Sequence, residues 1–142
     1  MSMVADITPK SDYLHVSVAG YFLLDDANKI ITRIFKAVAQ YELPNVLIDC
    51  RQVKGNPTTM ERFAHAEYVV NEKISAMRSN PVIANIRLAY FGRNPLVESQ
   101  QRFGETVAVN RGVNVRETNS LEEAIQWLGI DLVNNASGVT AH

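Results

Sequence analysis

Cys50 and His65 are the residues of this chain whose types best suit nucleophilic chemistry. A thiol attacks as its thiolate, and a neighbouring imidazole is the usual base that generates one. Cys50 lies near the end of the strand that holds the apolar run Val46-Leu47-Ile48, and His65 follows on the next expected helix. No third group is spaced to orient the imidazole, and the local phrases that surround catalytic cysteines are missing. Small buried cysteines are common fillers in strands, so the pair reads as structural. His15, His65 and His142 share no metal-ligand spacing. Neither G-x-x-x-x-G-K-[ST] nor G-x-G-x-x-G occurs. The expectation is a chain without metal, nucleotide or other cofactor, and not an enzyme.

The arginines carry more information. Residues 78–116 contain Arg78, Arg87, Arg93, Arg102, Arg111 and Arg116 against Glu98 and Glu105, a balance of +4. Residues 117–142 carry Glu117, Glu122, Glu123 and Asp131, a balance of −4. Arg51, Arg93 and Arg116 fall at the ends of expected parallel strands, the side on which open α/β sheets bind ligands. Guanidinium groups suit phosphate or carboxylate, and Arg93 precedes an expected helix start at Asn94-Pro95 whose backbone donors would assist an anion. These three are the candidate anion- or partner-binding residues. The plainer reading is that they pair with Asp25, Asp26, Asp49 or Glu117 and tie loops together.

Two further segments stand out. Thr58 and Thr59 open a helix, where free N–H groups would stabilise a phosphate. Thr58-Thr59-Met60-Glu61 also matches a capping box, and capping alone explains Thr58 and Glu61. Tyr21-Phe22-Leu23-Leu24 places four large apolar residues at a strand-to-helix junction, where they cannot all face inward. Part of the segment is either a hydrophobic staple or an exposed patch for a partner. Phe22, Phe35, Phe63, Met77, Phe103 and Trp127 fit helical stripes; they read as core or, alternatively, as the lining of an apolar pocket between helix and sheet.

The elements that must position these residues follow from periodicity. Val4–Thr8 and Tyr13–Gly20 flank Pro9-Lys10-Ser11-Asp12 and read as an antiparallel hairpin. Ile30, Ile31, Ile34, Phe35 and Val38 recur at helical spacing, with Asp25 or Asp26 as cap. Val46–Arg51 is a buried strand and Arg51–Pro57 a loop. Phe63, Val70, Ile74 and Met77 form the expected inner stripe of the next helix. Ile86–Gly92 is a strand, Asn94–Asn110 a helix stopped at Gly112, and Val113–Glu117 the last strand. Ser120-Leu121-Glu122-Glu123 is a second capping box opening a helix to Gly129. The order β-β-α-β-α-β-α-β-α predicts an α/β fold with a mostly parallel five-stranded mixed sheet, one antiparallel edge strand and helices packed on it.

Composition bounds the rest. The 142 residues hold 14 Lys+Arg, 15 Asp+Glu, a single Cys and 46% hydrophobic side chains. That length suits one domain, expected over 1–129 with a polar, loosely held tail over 130–142. A net charge of −1 argues against a nucleic-acid-coating protein. No window approaches the roughly 20 apolar residues of a membrane span. With one Cys and no export-type start, a soluble cytoplasmic protein is expected.

Several phrases are similar to the STAS superfamily in its SpoIIAA-like branch: Val46-Leu47-Ile48-Asp49-Cys50-Arg51, Thr59-Met60-Glu61-Arg62-Phe63, Glu105 to Arg116, and Glu122 to Leu128. The resemblance covers residues 3–129. It implies a non-enzymatic bacterial module, regulatory or protein-binding, and some members of the wider group look like binders of lipids or small hydrophobic molecules. Anti-sigma-factor antagonists switch on a serine in an Asp-Ser-Ser-Gly-like motif at the start of the helix after the third strand. Here that place reads Asn56-Pro57-Thr58-Thr59, so only the hydroxyl survives and the motif around it does not.

Two functions are expected, and a third is kept only as the less favoured alternative. The first is a regulatory module acting through the strand carboxyl edge around Arg51, Thr58 and Arg93, on a protein partner or an anionic group. The second is a carrier or sensor of a small amphipathic ligand, with the arginines holding its acidic head. An enzyme using Cys50 and His65 comes third. A homodimer fits the commonest pattern of assembly.

Overall fold

The structure, a computed structural model, describes residues 3–92, 108–109 and 111–131. The chain starts with strands β1 (Val4–Pro9) and β2 (Leu14–Tyr21), closed by a turn in which Lys10 N–H donates to the Tyr13 carbonyl at 2.8 Å. Helix α1 (Leu24–Tyr41), strand β3 (Asn45–Lys54) and helix α2 (Thr59–Ala76) come next. A short 3-10 turn (Pro81–Asn85) leads into β4 (Arg87–Phe91); β5 (Asn114–Thr118) and helix α3 (Leu121–Leu128) complete the described residues' elements.

The five strands form one sheet in the order β1-β2-β3-β4-β5, with β1 antiparallel to β2 and every other neighbouring pair parallel. The expected mixed sheet with an antiparallel edge strand is therefore present. On one face, Leu14, Val16, Val46, Ile48, Leu88 and Val115 meet Ile30, Ile31, Ile34 and Val38 of α1 and Val69 and Val70 of α2. On the other, Ala124 and Leu128 of α3 cover Tyr13, Leu47, Ala89 and Phe91. Ile130 belongs to this second core, one residue past the boundary expected at Gly129.

Local chemistry accounts for the differences from expectation. The segment from Arg51 to Lys54 is strand and not loop, because Ala19, Gly20 and Tyr21 pair with Gln52, Val53 and Lys54. The register shifts by one on the way, with Ser17 opposite Asp49 but Ala19 opposite Gln52. The extra residue lies at Cys50-Arg51, and a bulge of this kind re-aims the side chains beyond it. Helix α1 has no side-chain cap; Leu23 occupies the cap position, and Asp26 accepts instead from the Met3 N–H at 3.0 Å. Thr58 forms the full capping box with Glu61. Ser120 forms only half of one, since the Glu123 carboxylate is taken by Thr118 Oγ1 at 2.6 Å and Arg116 at 3.3 Å. The inner stripe of α2 is Arg62, Ala66, Val69 and Val70, whereas Phe63, Ile74 and Met77 of the expected stripe are exposed. The helix expected over 94–110 lies outside the described residues apart from Ala108 and Val109, which are helical, and most of the expected tail lies outside as well.

Candidate functional site

Up to the bulge, β3 alternates strictly, so Val46, Ile48 and Cys50 face α1 and α2. Strict alternation would then turn Val53 away. The extra residue returns it to the helix side, where it lines a cavity of about 120 Å³ between the sheet and the two helices. Val18, Ile30, Ile31, Ile34, Ile48 and Val69 supply most of the described apolar wall, and Phe22 and Ala27 close it near the start of α1.

One part of the wall is polar. Ile48, Tyr90 and Glu117 sit on one rung of β3, β4 and β5, and Cys50 lies two residues further along β3. Arg62 and His65, one helical turn apart on α2, face them across the cavity. Arg62 is only 7% exposed, and its Nη1 stands 4.0 Å from Glu117 Oε2. His65 is held at both ring nitrogens, with Nδ1 2.9 Å from Asn28 Oδ1 and Nε2 3.1 Å from the Tyr90 hydroxyl. With the Asn28 oxygen accepting, Nδ1 carries the proton and Nε2 accepts from Tyr90. Beside this chain, Thr32 Oγ1 and the Tyr68 hydroxyl meet at 2.6 Å.

Burial keeps Cys50, His65 and Tyr90 uncharged. It pushes the Cys50 thiol up to about 12, with the nearby Asp49 and Glu117 carboxylates acting in the same direction. It pulls His65 down to about 4. The Tyr90 hydroxyl is raised well above its ordinary value, first by burial and then by Cys50 and Glu117. Cys50 and His65 thus share the cavity without forming a nucleophile and base. The thiol stays protonated at neutral pH, and both imidazole nitrogens are already engaged by Asn28 and Tyr90.

Of the candidate arginines, Arg51 and Arg116 are described, and each is held by a partner of its own. Arg51 lies inside β3 on the opposite sheet face, clamped on Asp49 by bonds of 2.7–3.2 Å and set over the Phe91 ring at 4.9 Å. The clamp holds the Asp49 carboxyl below its ordinary range, against the effect of its partial burial. Arg116 is in the middle of β5, not at its end, tied to Glu123 at 3.3 Å and over Trp127 at 5.7 Å. Arg93 lies outside the described residues. Thr58 Oγ1 already accepts from Glu61 N–H at 3.0 Å, while Thr59 comes next in the first turn; both are exposed. The apolar junction divides, with Phe22 turned to the cavity, Leu24 half-buried, and Tyr21 and Leu23 exposed at 57% and 49%.

Sequence reasoning missed Arg62, Tyr90, Glu117 and Asn28 as site residues. The available signal was the spacing Arg62, Ala66, Val69, Val70, an inward helical face that begins with a charge.

The sheet order and the faces just described recur in solved structures. An anti-sigma factor antagonist from Mycobacterium paratuberculosis superposes with a TM-score of 0.54 at 12% identity, over 90% of this chain and 95% of that one. A protein of the DUF3478 family with a SpoIIAA-like fold, from Shewanella loihica, gives 0.50 at 17% identity, over 89% and 94%. The chain has a SpoIIAA-like (STAS) fold. No protein-family model and no curated protein matches the sequence. Among the described residues no group of His, Cys, Asp and Glu is placed to hold a metal, and no helix of this SpoIIAA-like domain is long and apolar enough to cross a membrane.

Proposed function

We propose that the protein is a non-enzymatic regulatory module that senses or carries a small amphipathic molecule in the cavity between the sheet and α1–α2. The observation that carries this reading is the cavity itself: an apolar chamber of about 120 Å³ whose described polar groups are Tyr90 and Glu117 on one rung, Cys50 beside it, and Arg62 and His65 on the facing turn of α2. Small-molecule sites commonly combine apolar walls with a few convergent polar groups. Among the described residues Arg62 is the arginine that lines the cavity, while Arg51 and Arg116 lie on the other face of the sheet, so neither of those two holds an acidic head in this reading. The free Cys50 thiol fits a reducing, cytoplasmic setting. Native mass spectrometry of protein purified from its own host tests the proposal. A bound small molecule, released on denaturation, is expected; a uniformly ligand-free mass that no added amphiphile shifts would overturn it.

A second reading is favoured by a different observation. Tyr21, Leu23 and Met60, exposed at 57%, 49% and 75%, lie at the end of β2 and the starts of α1 and α2, the carboxyl side of the parallel strands. Such a patch suits a protein partner, and one similar structure is named as an antagonist of an anti-sigma factor. In this reading Thr58 or Thr59 is the phospho-acceptor and Arg51 flanks the contact. Phosphate on Thr58 would have to replace the cap bond to Glu61. Capture of a defined partner by wild type, lost on Leu23→Asp at unchanged melting temperature, is the outcome expected of it.

A further inference from the structure

Resting on the ligand reading, we infer that the cavity selects an uncharged polar head, a hydroxyl or carbonyl, over a carboxylate or ammonium of the same shape. The charges on the described wall are one cation and one anion, Arg62 and Glu117, set 4.0 Å apart. A carboxylate entering beside Arg62 would bring a second anion against Glu117 in a medium that screens poorly, and an ammonium would do the same to Arg62. The remaining polar groups are matched to a neutral head. The Tyr90 proton is directed to His65 Nε2, so the Tyr90 oxygen keeps lone pairs for a ligand hydroxyl, and the Cys50 thiol is a weak donor. Scale limits the body of the ligand: an engineered apolar cavity of about 150 Å³ holds benzene, so one ring or a short chain fits a space of about 120 Å³.

The test compares benzyl alcohol, benzoate and benzylammonium at pH 7, titrated into the full chain and followed by calorimetry and amide shifts. Benzyl alcohol is expected to bind, with both ions weaker by about tenfold or more, the effect of roughly 1.4 kcal/mol of unmatched charge. Glu117→Gln should raise benzoate affinity by about tenfold relative to benzyl alcohol, because it removes the carboxylate that would repel the benzoate head. Benzoate binding as tightly as the alcohol to wild type would overturn the selectivity while leaving the ligand reading intact, and this arm decides even if Glu117→Gln does not fold. Absence of binding by all three would overturn the ligand reading and the selectivity with it. Ala66→Leu, which narrows the cavity, should abolish alcohol binding in a folded protein; persistence there would place the alcohol elsewhere and overturn both.

Discussion

On the face of the sheet covered by α3, Arg87 and Arg116 lie over the Trp127 ring at 4.4 and 5.7 Å, and Arg51 lies over Phe91 at 4.9 Å. On the face covered by α1 and α2, Arg62 is withdrawn from water and stands opposite Glu117 across the cavity. All three make ring contacts, and Arg51 and Arg116 add carboxylate partners near the surface, where ion pairs contribute little. Arg62 has given up most of its hydration and depends on a nearby anion. The side of the sheet on which an arginine falls decides whether it fastens a surface or furnishes a site.

The largest effect expected from this contrast is on stability. Arg62→Leu removes a buried charge that faces Glu117 and should cost about 3 kcal/mol or more. Arg116→Leu should cost about 1 kcal/mol or less. Urea denaturation measures both, and the double variant Arg62→Leu/Glu117→Leu should recover much of the loss. Equal costs for the two single variants would erase the distinction between the faces.

Acid titration sharpens the same comparison. The unfolded chain protonates its histidines near 6.5, whereas folded His65 takes up its proton only near 4. Stability is therefore complete above about pH 6.5 and falls as pH drops towards 4, by roughly 3 kcal/mol at most. His15, on the other face and half-buried, is also lowered by burial, but the Asp49 carboxylate opposes the shift. His65→Gln should flatten much of the profile between pH 6.5 and 4, and His15→Gln should flatten it less, because the Asp49 carboxylate limits its shift. The reverse ranking in denaturant midpoints would contradict the burial assigned to His65.

Packing gives the smallest difference. Ala66 lines the cavity and Ala89 is sealed under α3. Ala66→Val should be neutral or slightly stabilising, since it grows into space, while Ala89→Val should cost about 1–3 kcal/mol through overpacking. Thermal melts distinguish them.

The sheet was legible because its signals are local. Alternation at Leu14, Val16 and Val18, turn chemistry at Pro9-Lys10-Ser11-Asp12 and helical spacing from Ile30 to Val38 each act within a few residues. The Thr58 capping box was legible for the same reason. The cavity was not. Phe63, Val70, Ile74 and Met77 also recur at helical spacing, and nothing within α2 says which of two overlapping stripes meets the sheet. Arginines are almost never fully buried unless paired, so Arg62 reads as solvent-facing until β5 brings Glu117 opposite it. The bulge at Cys50-Arg51 is likewise set between strands: it appears only when β2 is laid beside β3. Glu123 looked like a capping partner because Thr118 and Arg116, which take its carboxylate, belong to a neighbouring strand.

The strand order β1-β2-β3-β4-β5 has a consequence for how the molecule forms. Every described strand adds beside the one that precedes it in the chain, so none waits for a remote segment to arrive. Assembly can begin at the amino-terminal hairpin and advance one strand at a time, each addition meeting an edge already laid down. During synthesis, where amino-terminal parts emerge first, that growing edge is always the one the next strand needs. Glu117, on the last described strand, arrives late, and the ion pair it makes with the arginine on α2 is among the last contacts to close.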